Sequence, residues 1–418
     1  MSPTPRVAWA LAALAVAALL VPVPAVVLGA LVLAAATVVD ALAVRRPPEV
    51  ARRVPTVLAR GVPAPLTVTA ARPGARRLLV RQPATPDVRV EPSEADGQLD
   101  AMLVPRRRGR HRLPAVATRA VGPLGLGRWD HGAAGEAEVA VYPDVPAARR
   151  LALAVRQGRF GEQGRLRRGP LGLGTEFESV RDYSPDDDIR QVNWRVTARL
   201  ERPMSNTYRV DQDRDVVVVV DAGRLMAAPL AGTPPLTRLD AALDAAAAVA
   251  LVADEVGDRC GALAFDGAVR AHLAPRRRGG AAVIQALFDL ETSMQDSDYE
   301  LAFRRVGGGK RALVMVFTDL LEPWAAQSLV AAVPVLARRH AVVVISARDP
   351  ELTALLRTPP FRPLDAYAAA VAVDVLADRA AAARQLASAG ARVVEAEPSQ
   401  LAAACVRTYL TLKRRARL

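Results

Sequence analysis

The sequence predicts a membrane hairpin followed by two soluble folds: an all-β sandwich, then an α/β domain built on a mostly parallel, Rossmann-like sheet. Three observations carry that prediction. Residues 7–39 contain no charged side chain, short β-type runs between Pro and Gly fill residues 47–146, and from Asp215 onward continuous apolar runs alternate with Ala-rich amphipathic stretches. At 418 residues, 51% hydrophobic and 24% charged, the chain can bury more than one core and falls outside the disordered class. The composition shifts divide it into a two-helix hairpin (1–45), a β-sandwich-like domain (46–150), a signature segment and linker (151–214) and the α/β domain (215–418).

The apolar run comes first. At about 1.5 Å per residue a straight helix over residues 7–39 would reach about 50 Å, beyond a hydrocarbon core of about 30 Å. Pro22 and Pro24 sit near its midpoint, so two arms, 7–21 and 25–44, turning at 21–24 fit better than one span. Arg6 precedes the first arm and Arg45-Arg46 follow the second, so the positive-inside rule places both ends, and everything after residue 45, in the cytoplasm as a multi-pass cell-membrane protein. A single tilted span, or a signal peptide cleaved near Ala30, would put the domains outside; one Arg in the n-region and an apolar run that continues past any cleavage site argue against the signal peptide.

Residues 66–69, 78–80, 88–90, 101–104, 115–118 and 139–142 are strand-length runs bounded by turn residues, with 106–111 as a hairpin loop, which is the pattern of a small sandwich. In the second half the expected strands are 216–220, 260–265, 269–273, 312–317, 342–345 and 393–394, and the expected helices 238–255, 281–289, 324–339, 366–389 and 400–414. Strands that are unbroken apolar runs are buried on both faces, so a ligand crevice belongs beyond their carboxyl ends.

Charge and cysteine usage exclude several classes. Cys260 and Cys405 stand outside any CxxC or Cys/His spacing, which argues against a disulfide framework or a structural zinc site. The net charge of +13 sits in clusters at 106–108, 149–150, 167–168, 276–278 and 413–417. Aromatic residues make up 4% and none interleave with these clusters, so nucleic acid is not an expected partner; anionic lipid or plain solvated surface is. There is no Gly-x-Ser-x-Gly, no His-Glu-x-x-His and no phosphate loop, since Arg311 follows Gly307-Gly308-Gly309-Lys310, and the four histidines are scattered. The chain reads as a non-enzyme.

Residues 172–199 pack carboxylates and guanidinium groups around Phe177, Tyr183, Ile189 and Trp194. This stretch resembles the signature of the domain-of-unknown-function 58 family, membrane-tethered proteins usually linked to MoxR-type AAA+ ATPases, and Gly122-Pro123-Leu124-Gly125-Leu126-Gly127 resembles the segment that closes the β domain in that family. Asp186 stands where the family has Gly, and enters a left-handed turn less readily. The resemblance covers nearly all of residues 150–418, and the rest more loosely. It implies an adaptor or scaffold working with a MoxR-type AAA+ ATPase, other membrane-complex proteins and the lipid bilayer in chaperone-like assembly or maturation of protein complexes. Two readings of the signature charges stand. In one, Glu176, Asp187 and Asp188 accept from Arg181, Arg190, Arg195 and Arg199 in a clamp between domains, while the large apolar side chains anchor it to the core; in the other they read a partner.

The second half also looks like a von Willebrand factor A domain, whose metal-ion-dependent adhesion site takes an Asp-x-Ser-x-Ser turn after the first strand, a distant Thr and an Asp after the fourth. Here Asp221 ends the first strand and Thr318-Asp319 the fourth, but the turn reads Asp221-Ala222-Gly223-Arg224-Leu225 and no Thr occurs in residues 266–290. Asp221 and Asp319 are thus the candidate ligands of Mg²⁺, the one cofactor the resemblance implies, in an incomplete oxygen cage. The alternatives are that Arg224 puts a guanidinium in the cation's place, or that the two acids cap helices or pair with Arg224. The candidate partner-binding residues are Arg181, Asp187, Asp188, Arg190, Trp194, Asp221, Arg224 and Asp319. The competing function is a Mg²⁺-dependent adhesion or protein-binding receptor outside the cell.

Overall fold

The computed structural model describes residues 1–159, 171–172, 176–184, 189, 192–209, 214–231, 236–306, 308, 310–320 and 323–414. The signature positions Asp187, Asp188 and Arg190 lie outside these. The chain divides into two compact units, Met1–Asp144 and Val145–Leu418.

In the first unit the apolar run forms the helices Pro5–Ala17 and Val23–Ala43. Pro22 and Pro24 start the second helix, where a missing N–H leaves no helical hydrogen bond unmade. Trp9, Leu19, Leu20, Leu28 and Leu31 are exposed. Among the described residues one helix, Val23–Ala43, is long and apolar enough to cross a membrane; at 13 residues, Pro5–Ala17 reaches only about 20 Å.

The strands of this unit form three sheets. One runs in the order Ser2–Pro3, Gly127–Ala133, Val116–Val121, Arg77–Arg81, Glu94–Asp96; a second Glu49–Arg53, Ala64–Ala71, Gln98–Pro105, Val88–Glu91; a third Val57–Ala59, Ala137–Tyr142, Gly109–Leu113. Period-two alternation sends Leu66, Val68, Val80, Val90, Leu99, Leu103, Val116 and Val141 into one core. Residues 106–111 are not a hairpin loop. The strands on either side belong to different sheets, so the segment is a crossover, bent at Gly109, whose φ of 111° suits glycine.

Both helical arms end on one loop. Asp40, near the end of Val23–Ala43, is 1% exposed, and its carboxylate accepts from the backbone N–H groups of Leu124, Leu126 and Gly127, each at 2.8 Å. Thr4, just before the first helix, donates its hydroxyl to the Gly125 carbonyl at 2.7 Å and its N–H to Leu126 at 2.8 Å. A Cβ on Gly122 would lie 2.3 Å from Asp40 Cγ, and one on Gly127 2.5 Å from the Thr37 carbonyl. The glycines of the 122–127 segment therefore let a loop lie directly against helix backbone. Val44, Leu78 and Ala120 close the apolar side of the joint.

The second unit holds a six-stranded mixed sheet in the order Val269–Arg277, Arg259–Phe265, Asp215–Asp221, Ala312–Phe317, Ala341–Ala347, Ala391–Ala396. All neighbours pair in parallel except the edge strand Val269–Arg277. The central strands are buried throughout, as their unbroken apolar runs require. The helices Arg238–Glu255, Gly280–Leu287, Pro323–Ala337, Pro363–Ser388 and Pro398–Arg414 fall where the amphipathic pattern places them. Helices Val145–Arg156, Tyr299–Val306 and Pro350–Arg357 were not expected: the first buries only the narrow stripe Ala148, Ala152, Val155, and the others are a little over two turns long. Lys413, expected in a basic surface tail, instead pairs with buried Asp258 at 2.6 Å.

Asp40→Ala removes three charge-assisted hydrogen bonds at once and should cost at least about 3 kcal/mol in thermal unfolding of the detergent-solubilised chain. Gly127→Ala should cost a comparable amount, because the atoms it would strike are helix backbone. An unshifted melting temperature in both variants would show that the loop does not hold the helices.

Candidate functional site

Parallel pairing of Asp215–Asp221 with Ala312–Phe317 brings the carboxyl ends of these strands to one sheet edge, and with them Asp221 and the Thr318-Asp319 step. The two acids have different environments. Asp221 accepts from the Gly223 N–H at 2.8 Å, from Thr318 Oγ1 at 2.7 Å, from Tyr299 Oη at 2.9 Å and from Ser297 Oγ. Tyr299 is buried, also lies 2.8 Å from Thr318 Oγ1, and stacks edge-on against Phe265. Burial, reinforced by the charge of Asp221, holds its phenol well above the ordinary range, so it stays a donor.

Asp319 is 1% exposed and faces guanidinium groups. Arg238 Nη1 donates to it at 2.8 Å and also to the Ala347 carbonyl at 3.0 Å; Ser346 Oγ donates to it at 3.2 Å; Arg379 Nη2 lies 3.7 Å away. Arg379 is fixed in turn by Glu395, Ser346 and the Ala347 carbonyl. Burial pushes the Asp319 carboxyl above the usual range while Arg238 and Arg379 pull it back; burial likewise lowers Arg238. Arg238 is aimed by local sequence: it opens helix Arg238–Glu255 directly after a capping box in which Thr237 and Asp240 exchange hydrogen bonds.

Arg224 lines the cavity above Asp221. Its Nε pairs with Asp296 at 3.2 Å, in the loop that also delivers Ser297, and the cation against the strand-end acid is Arg238. Arg181 and Trp194 belong to a separate sheet, Leu171–Gly172, Met204–Arg209, Glu176–Asp182, and its adjoining helix Trp194–Leu200. Arg181 donates to the Asp182 carbonyl at 3.1 Å, and Asp182 pairs with Arg202 at 3.2 Å. Asn193 caps the helix, accepting from Val196, and binds Asn206 at 2.8 Å. Trp194 and Ile189 are each 67% exposed and so are not the core anchors expected; among the described side chains of this segment Met204 and Ser205 are buried.

Sequence reading missed Arg238, Arg379, Ser297 and Tyr299. Ser297 lies just beyond residues 266–290, where the third-loop hydroxyl was expected, and the Thr237-x-x-Asp240 cap that brackets Arg238 was the available signal for it. Above Asp221 a cavity of about 20 Å³ is lined by Arg224, Asp296, Ser297, Tyr299 and Ser328, enough for about one water. The residues present do not fit a divalent cation. Both carboxylate oxygens of Asp221 already accept from protein donors, Asp319 faces two guanidinium groups, and among the described residues no three His, Cys, Asp or Glu side chains converge.

Residues 179–391 match a family described as protein of unknown function DUF58. Over 223 residues the chain is 31% identical to uncharacterized proteins of Mycobacterium bovis and Mycobacterium tuberculosis, an alignment covering 50% of this chain and 66% of each relative. The chain thus spans just under two thirds of the length of these curated relatives.

Tyr299→Phe should cost about 1–3 kcal/mol, since Asp221 and Thr318 both lose the hydroxyl in a buried site. The melting temperature of the parent chain should be the same in Mg²⁺ and in EDTA; a rise in Mg²⁺ that disappears in Asp221→Asn would show that the edge holds metal after all.

Proposed function

The chain belongs to the DUF58 family, and we propose that it is a membrane-anchored, non-enzymatic adaptor that works with a MoxR-type AAA+ ATPase in assembling or maturing other protein complexes. Its helical pair sits in the cell membrane and both units face the cytoplasm, the first folded as a β-sandwich and the second as a von Willebrand factor A-like domain. The observation that carries this reading is the disposition of charge at the carboxyl edge. Both oxygens of Asp221 accept from internal donors, and Asp319 is held through Oδ1 by Arg238 and Ser346 with its Oδ2 buried and unpartnered, which suits a structural platform better than a reactive or metal-binding centre.

The exposed side chains of the unit are then the partner-reading ones. Arg224 with Asp296 presents a charge pair at the edge, and Trp194 with Ile189 offers the large apolar surface that makes binding hot spots. Arg181, Asp187, Asp188 and Arg190 accompany them in sequence. Extraction of the full-length chain from membranes with its partners tests this. Trp194→Ala combined with Arg224→Ala should lower the recovered AAA+ ATPase at least about tenfold, the effect of losing one modest hot spot, with the melting temperature unchanged. Undiminished recovery would remove these residues from the contact, and a carboxyl-terminal reporter active only outside the cytoplasm would overturn the topology.

A further inference from the structure

We infer that the arginine-lined basin at the foot of the two apolar helices binds the phosphate headgroup of an anionic phospholipid. The inference rests on the membrane-anchored reading above and adds a specific lipid site to it. The basin has a volume of about 450 Å³ and is lined by Arg6, Arg76, Arg77, Arg119 and Arg128 together with Thr4, and no carboxylate lines it. That is room for a headgroup, and five guanidinium groups offer the forked N–H geometry that phosphate oxygens accept.

The fold, not chance clustering, assembles this surface. Arg77, Val121 and Arg128 lie in register across three neighbouring strands, and Arg119, two residues from Val121, faces the same way. The opposite face carries the buried Leu78 and Ala120. Two of the five charges have protein partners, Arg77 with Asp96 at 2.9 Å and Arg119 with Asp130 at 2.6 Å. Arg128 donates to the Ser2 hydroxyl at 2.7 Å. Arg6 and Arg76 form no ion pair among the described residues, and they approach each other over Gly125, where an added Cβ would meet Arg6 Nη1 at 2.8 Å and Arg76 Cδ at 3.2 Å. Uncompensated cations held together in a concave site call for an anion.

Position identifies the anion as a lipid's. Thr4 and Asp40 tie the start of one apolar helix and the end of the other to the 122–127 loop, so the basin opens where both helices leave the β unit. One helical turn beyond Arg6, Trp9 is 77% exposed, at the depth where tryptophan marks the boundary between headgroups and acyl chains. Apolar side chains continue from there along both helices. A phospholipid seated here would place its phosphate among the arginines and its chains along the helices, which a free phosphate does not exploit.

The test uses the full-length chain in a neutral detergent, titrated with short-chain phosphatidylglycerol, short-chain phosphatidylcholine or inorganic phosphate, and read by Trp fluorescence and by native mass spectrometry of the adduct. Phosphatidylglycerol should bind in preference to phosphatidylcholine. Arg6→Gln/Arg76→Gln should weaken it at least about tenfold, given roughly 1 kcal/mol for each basic residue near an anionic surface, and Arg6→Lys/Arg76→Lys should restore part of the loss. Arg149→Gln/Arg150→Gln, an exposed pair in the other unit, should change nothing. The inference falls if the two lipids bind alike, if the Gln pair keeps the preference while unfolding normally, or if inorganic phosphate displaces the lipid mole for mole, which would make this a free-phosphate site. The titration is independent of fractionation: a chain recovered from the soluble fraction of cells would refute membrane anchoring whatever the basin binds.

Discussion

A carboxylate withdrawn from water must find donors inside the protein, and this chain uses that requirement to join segments far apart in sequence. Asp40 gathers the N–H groups of the 122–127 loop, Asp319 takes the guanidinium of Arg238, and Asp258 takes Lys413 and Tyr409 from the last helix. Each acid is about 1% exposed, so losing its partner would leave a charge that neither solvent nor apolar packing can stabilise. The helical pair is thereby fixed to the β unit, the start of helix Arg238–Glu255 to two central strands, and the last helix to the start of a strand. In the second unit this leaves the guanidinium of Arg238 against Asp319 at the sheet edge.

This balance separates the architectural charges from the available ones. Asp221, Tyr299, Thr318 and Ser297 form one hydrogen-bonded cluster, and Asp319, Arg238, Arg379 and Ser346 another. Both clusters are largely withdrawn from solvent, whereas the Arg224 and Asp296 pair beside them is partly exposed. On the proposed reading, the exposed apolar side chains Trp194 and Ile189 would meet a partner and the arginines around the foot of the helices a lipid.

Much of the framework was legible in sequence because it rests on periodicity. Unbroken apolar runs such as 216–220 and 312–317 can only be central strands, and their expected ends agree with the observed ones to within a residue. What sequence could not give was pairing over distance. Nothing local says that Arg238 meets an acid 81 positions away, or that the third hydroxyl at Asp221 comes from Ser297, beyond the expected loop. Residues 106–111 have the composition of a hairpin turn, yet the chain crosses between sheets there, because the strands that complete each sheet come from elsewhere in the sequence. Trp194 and Ile189 look like core residues by type and are solvent-exposed, which only tertiary context decides.

The central claim is that the strand-edge acid is neutralised by a built-in cation and not by a recruited one. A double-mutant cycle between Arg238 and Asp319, read by equilibrium unfolding of the full-length chain, tests it most directly. The account predicts that Arg238→Met and Asp319→Leu each destabilise by about 3–5 kcal/mol, and that the double variant recovers a large part of that loss because no unpaired charge is left buried. Additive losses in the double variant, or a single variant that leaves stability unchanged, would contradict it.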